Sequence, residues 1–179
     1  MNSRTIIEFW FHETEPRQWF AKDSAFDRLI AERFKDVHVS ALKCELFPWR
    51  DTATGRLAEI IVLDQFSRNI HRDSPLAFAA DPLALALSQE AVRVQAQHDL
   101  TPQQKCFLYM PHMHSESPLI HEQAVRLFRE PGLEKNLEFE MKHKTIIDRF
   151  GRYPHRNAVL GRISTPEEAA FLKTPGSSF

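Results

Sequence analysis

Apolar residues recur along most of this chain three and four positions apart, the spacing that gives a helix one buried face. Phe26, Leu29, Ile30, Phe34 and Val37 follow Asp23, a good capping residue, and predict a helix from about 24 into the forties. Leu57, Ile60, Ile61, Val62 and Phe66 form a wide stripe on a second helix over about 55–71. Leu83 to Ala96 reads as a third and Gln103 to Tyr109 as a short fourth, cut by Pro111. Leu119 to Phe128 is a fifth, closed by Pro131-Gly132. Leu137, Met141, Ile146, Ile147 and Phe150 mark a long sixth that Gly151 ends.

Asp81-Pro82, Thr101-Pro102, Ser117-Pro118 and Thr165-Pro166 each set a capping residue before a proline at the first helical position, where the missing N–H costs nothing. Glu167 and Glu168 add a capping-box acid and a charge that suits the helix dipole. No run sustains the period-two alternation of a strand, and only five glycines are available for hairpins. The expected fold is all-α, seven to eight helices arranged as antiparallel helix pairs. The 179 residues fit one helical domain, 1–172, with a frayed tail over 173–179.

Lys and Arg number 23 against 24 Asp and Glu, a formal net charge of −1 that gives no general attraction to nucleic acid or anionic lipid. The scarce glycines exclude both Gly-rich phosphate loops, so no cofactor is expected. Two cysteines, Cys44 and Cys106, fit a reduced, cytoplasmic protein in which both pack as small hydrophobes. No stretch is long and apolar enough to span a membrane, and the mixed N-terminus has no signal-peptide pattern.

Three segments carry the candidate chemistry. In Leu63-Asp64-Gln65-Phe66-Ser67-Arg68-Asn69-Ile70-His71-Arg72, the four-residue spacings crowd Asp64, Gln65, Arg68, Asn69 and Arg72 onto one broad face. Arginines four apart repel unless a carboxylate or a ligand anion lies near them. After Pro111, a loop with His112, His114, Ser115 and Glu116 offers imidazoles that titrate near neutrality. Arg152, His155, Arg156, Asn157 and Arg162 follow the Gly151 stop, and guanidinium forks suit carboxylate or phosphate. His143 projects from the sixth helix toward the same space. The bland alternative for both basic segments is ion pairing with acids of the chain itself.

Leu63-Asp64-Gln65-Phe66-x-Arg68-Asn69-x-x-Arg72, Pro111-x-x-His114-Ser115-Glu116 and Phe150-Gly151-Arg152-x-Pro154-His155-Arg156-Asn157-x-x-Leu160-Gly161-Arg162, in this order, resemble the mainly bacterial family called domain of unknown function 924. Glu8-Phe9-Trp10-Phe11, Trp19-Phe20 and Ser164-Thr165-Pro166-Glu167-Glu168 extend the likeness over nearly the whole chain. Glu8, Ser67 and Tyr153 depart from the usual Asp, Pro and Phe. The resemblance implies a helical fold grouped with tetratricopeptide-like proteins, here as a degenerate array, and no established activity.

The leading expectation is a pocket for a small anionic ligand. Its ligand-binding residues are Asp64, Gln65, Arg68, Asn69, Arg72, Ser115, Glu116, His143, Arg152, Arg156, Asn157 and Arg162, with His114 and His155 as proton-transfer groups. The reaction class would be hydrolysis or proton transfer; Ser115 lacks a nucleophile elbow. The alternative is a non-enzymatic helical scaffold that binds a protein or associates with itself. A weaker option is a metal site from His112, His114, Glu116 and His143, although no fuller metal signature occurs.

Overall fold

Asn2 accepts the Thr5 N–H and so starts the first helix, α1 (Ser3–Glu8), which continues into a wide π turn over Phe9–Glu13. This computed structural model describes residues 1–177. Asp23 caps α2 (Ser24–Leu42) as its position predicts, accepting from Ala25 and Phe26. The predicted second helix is α3 (Ala53–Ile61), a buried π turn (Val62–Phe66) and α4 (Ser67–Ile70) joined in one rod. α5 (Asp81–Arg93), α6 (Pro102–Met113), α7 (Pro118–Leu127), α8 (Glu134–Phe150) and α9 (Pro166–Phe171) complete the fold. No strand occurs among the described residues, and the fold is all-α.

Neighbours in sequence pack as neighbours in space from α5 through α8, as short connections require, while α3 touches α1, α5 and α6. The main core is aromatic at one end. Phe34 lies 4.7 Å from Phe9 and 4.9 Å from Phe66 by ring centroids, and Trp10 stands edge-on to Phe66 and Phe107 at 5.6 Å. A smaller core of Ile146, Ile147 and Tyr153, backed by Phe150 and Phe171, seals the C-terminal end. No helix among the described residues is long and apolar enough to cross a membrane.

Four local expectations meet a different outcome. Pro111 does not cut α6, which runs on to Met113. Losing one helical hydrogen bond and accommodating the ring costs about 3 kcal/mol, but Met110, His112 and Met113 are all buried there, and each buried methionine returns about 1.5–3 kcal/mol. His112 is therefore helical rather than in a loop. Asp81 does not cap α5, whose N-cap is Ala80, because its carboxylate is engaged elsewhere. Ser117 stands at the N-cap of α7 without a side-chain bond. Cys106 is buried, which pushes its thiol up to about 12, whereas Cys44 is exposed rather than packed. Thr101 and Thr165 form the capping boxes expected of them. Beyond α9, Ser177 Oγ donates to the Leu172 carbonyl, and the last two positions of the expected tail, 178 and 179, lie outside the described residues.

Candidate functional site

The π turn after α3 carries Asp64 into the interior, 1% exposed. Such turns recur at functional positions because the extra residue re-aims side chains. Asp64 Oδ1 meets His114 Nδ1 at 2.7 Å and Arg68 Nη1 at 3.2 Å, while Oδ2 accepts from Gln65 Nε2 at 2.6 Å. Burial alone would raise the Asp64 pKa, but Arg68, His114 and Gln65 outweigh it and hold the carboxyl below its ordinary range. An ionised carboxylate only accepts, so His114 Nδ1 carries the proton. Burial, then the Arg68 charge, lowers the His114 pKa against the pull of Asp64, and the ring is neutral. Its Nε2 makes no hydrogen bond among the described residues.

Arg68 donates to the Asp64 carbonyl and, with both terminal nitrogens, to Asp81 at 3.0 and 3.1 Å. Asp81 also faces Arg156, whose Nη1 reaches it only at 3.4 Å. Arg156 is 7% exposed, with its guanidinium carbon 4.6 Å from the ring centres of both Phe78 and Tyr153. Its Nε is buried without a hydrogen bond. Burial and the neighbouring Arg68 charge lower the Arg156 pKa, the mark of a cation short of compensation.

The third segment closes over this group. Arg162 clamps Glu116 at 2.6 and 2.9 Å and takes Asn157 Oδ1 at 2.9 Å, and Glu116 also accepts the Tyr153 N–H at 2.8 Å. Tyr153 is fully buried, donates its hydroxyl to the Met113 carbonyl at 2.6 Å and faces the rings of His155, His143 and His121 at 5.4, 5.8 and 6.2 Å. Burial, with the Arg156 charge next, lowers His155 to about 4. His143 falls to about 3, mainly by burial. Behind them His121 Nδ1 meets Glu140 Oε1 at 2.7 Å and Nε2 donates to the Ser115 carbonyl at 2.8 Å, both side chains fully buried.

The structure thus gathers Asp64, Arg68, His114, Glu116, His143, His155, Arg156, Asn157 and Arg162 in one neighbourhood. It turns five other candidates wholly or partly elsewhere. Asn69 and Arg72 both bind Asp27 of α2, at 2.8 and 2.6 Å, because α4 packs against α2. Arg152 clamps Glu168 of α9 at 2.6 and 2.8 Å. Gln65, although bonded to Asp64, also donates to Met110 Sδ at 3.2 Å, and Ser115 Oγ accepts the Ser117 N–H. The ligands of the metal alternative diverge: His112 faces Ser88, His114 faces Asp64 and Glu116 holds Arg162. No group of three or more His, Cys, Asp or Glu among the described residues is arranged to hold a metal ion.

Sequence reasoning missed Asp81, Phe78, Tyr153 as the hub, and the His121–Glu140 pair. Asp-Pro reads as a cap whether or not the carboxylate turns back to the backbone, so Asp81 gave no other signal. His121 and Glu140 lie nineteen residues apart on packed helices, a pairing that no local motif records.

The family model described as "Bacterial protein of unknown function (DUF924)" matches residues 6–176. The solved structure of a protein of unknown function, ATU0120, from Agrobacterium tumefaciens is similar at 37% identity and a TM-score of 0.91, covering 96% of each chain. No curated protein matches the sequence.

Proposed function

We propose, from the premise that the chain belongs to the DUF924 family of bacterial proteins of unknown function, that it binds a small carboxylate or phosphate beside Arg156 and Arg68 and that His114 is the base acting there. The observation that carries this reading is Arg156, a buried guanidinium whose one ion-pair contact among the described residues is the 3.4 Å approach to an aspartate already clamped by Arg68. An oxyanion against its remaining donors would supply the missing charge and hydrogen bonds.

Asp64 fixes the His114 tautomer and orientation as an acid behind a catalytic imidazole does, leaving the Nε2 lone pair to take a proton. A neutral ring near pH 7 is the form a base needs. The chemistry supported is proton transfer, from the ligand or from a water attacking it. Glu116 and Arg162, Tyr153 and His155 act as walls that hold Arg156 in place. Arg152, Arg72 and Asn69 belong to ion-pair networks that brace the surroundings and stay outside the ligand seat.

A thermal-shift panel of phosphorylated and carboxylated metabolites tests this. A compound at about a hundred times its Kd adds about 2.7 kcal/mol, a rise of about 5–10 °C for a chain of this size. Arg156→Lys, which keeps charge but loses the fork, is expected to abolish the rise, and Arg149→Ala, on the exposed side of α8, to keep it. A panel that moves nothing, or an Arg156→Lys chain that responds like the unaltered one, removes this reading in favour of internal ion pairing within a helical scaffold.

A further inference from the structure

His112 and His114 stand two residues apart at the end of α6, about 200° around a helix, so His112 turns away from the Asp64 group. It is 2% exposed and forms the floor of a separate groove of about 380 Å³ beside α5 and α7. Val92 and Leu127 wall this groove, and Gln89, Arg93, Gln123 and Arg126 rim it. The size lies within the range of small-ligand pockets.

The tautomer of His112 follows from its neighbours. The single hydroxyl hydrogen of Ser88 goes to the Leu108 carbonyl. Its oxygen, 3.2 Å from His112 Nδ1, is left to accept, so Nδ1 bears the ring proton. Burial keeps the ring neutral, with its pKa down to about 4. The bare Nε2 makes no hydrogen bond among the described residues, and His112 lines the groove. The floor of the groove is therefore a lone pair that calls for a donor, under a cationic rim in which Arg126 forms no ion pair among the described residues and Arg93 only a 3.6 Å one with Glu90.

We propose that this groove is a second binding site, for a small hydroxy-carboxylate whose carboxylate meets Arg126 and Arg93 and whose hydroxyl donates to His112 Nε2. A plain carboxylate of the same size satisfies the rim and leaves the lone pair unmet. A site built around a hydrogen bond discriminates strongly against the analogue that lacks it.

Lactate and propionate differ by the one hydroxyl at issue, and ring-nitrogen correlation spectra of the ¹⁵N-labelled full chain at neutral pH read His112 directly. Expected are an Nδ1–H tautomer and a shift of the Nε2 signal at lactate concentrations at least about tenfold below those of propionate. Arg126→Ala, an exposed change, is expected to raise the lactate requirement by about tenfold. An Nε2–H tautomer, equal responses to the two acids, or lactate binding undiminished in Arg126→Ala overturns the proposal. The signal belongs to His112 alone, so binding beside His114 does not imitate it, and failure here leaves the Arg156 reading standing.

Discussion

Burial dominates the titration of four histidines. His38, His112 and His155 are held near 4 and His143 near 3, against an ordinary imidazole near 6.5. As pH falls below 6.5, the unfolded chain takes up protons that the folded chain refuses until about 4. Stability is therefore full above 6.5 and falls between 6.5 and 4, by up to about 1.4 kcal/mol per pH unit for each histidine. Urea midpoints from pH 7.5 to 4.5 check this, and a flat profile contradicts it. The His121–Glu140 pair makes a second prediction: His121→Ala strands a buried carboxylate and costs about 3–5 kcal/mol. Glu140→Gln, which keeps the size of the side chain and a hydrogen-bonding partner for His121 Nδ1, costs less by the same denaturation measurement. At this scale the three polar segments were legible in the sequence because arginine and histidine are costly to bury and stand out. Asp81, the acid that Arg68 and Arg156 share, was not, since it pairs across the fold.

Among the elements, α2, α5, α7 and α8 form where the apolar spacing places them, although Leu29, Leu119 and Met141 of those stripes are exposed, and the capping threonines fall where the sequence marks them. The π turn at Val62–Phe66 was invisible, because periodicity reads a helix as continuous and one extra residue per turn leaves no trace in so apolar a run. Pro111 misled for the opposite reason: a local breaker was outweighed by tertiary burial. Gly55, near the start of α3, makes the element-scale prediction. An added Cβ there would stand 1.9 Å from the Trp49 carbonyl oxygen. Gly55→Ala therefore forces the Phe47–Asp51 turn off α3 and costs about 1–3 kcal/mol, against the small gain the same change brings to an unobstructed helix. Calorimetry should show Tm lowered by roughly 2–4 °C per kcal/mol.

Across the whole molecule, the candidate site lies where the small C-terminal core meets the main bundle, and its third segment is held from outside. Arg152 and Asn157 tie that loop to Glu168 of α9, as Arg162 ties it to Glu116. Arg152→Ala should therefore loosen residues 153–162 and speed their amide exchange, while α2 and α3 exchange as before. Uniform acceleration would mean that α9 braces the entire fold instead.

The proposed anion seat rests on the partly compensated charge of Arg156, whose ion-pair partner among the described residues, Asp81, stands at 3.4 Å. A crystal structure obtained from phosphate-containing solution near pH 7 tests it most directly. The expected result is a phosphate bonded to the Arg156 guanidinium within reach of His114 Nε2, with Asp81 still on Arg68. Arg156 closed onto a second carboxylate of the chain, with no anion in the cluster, would contradict it.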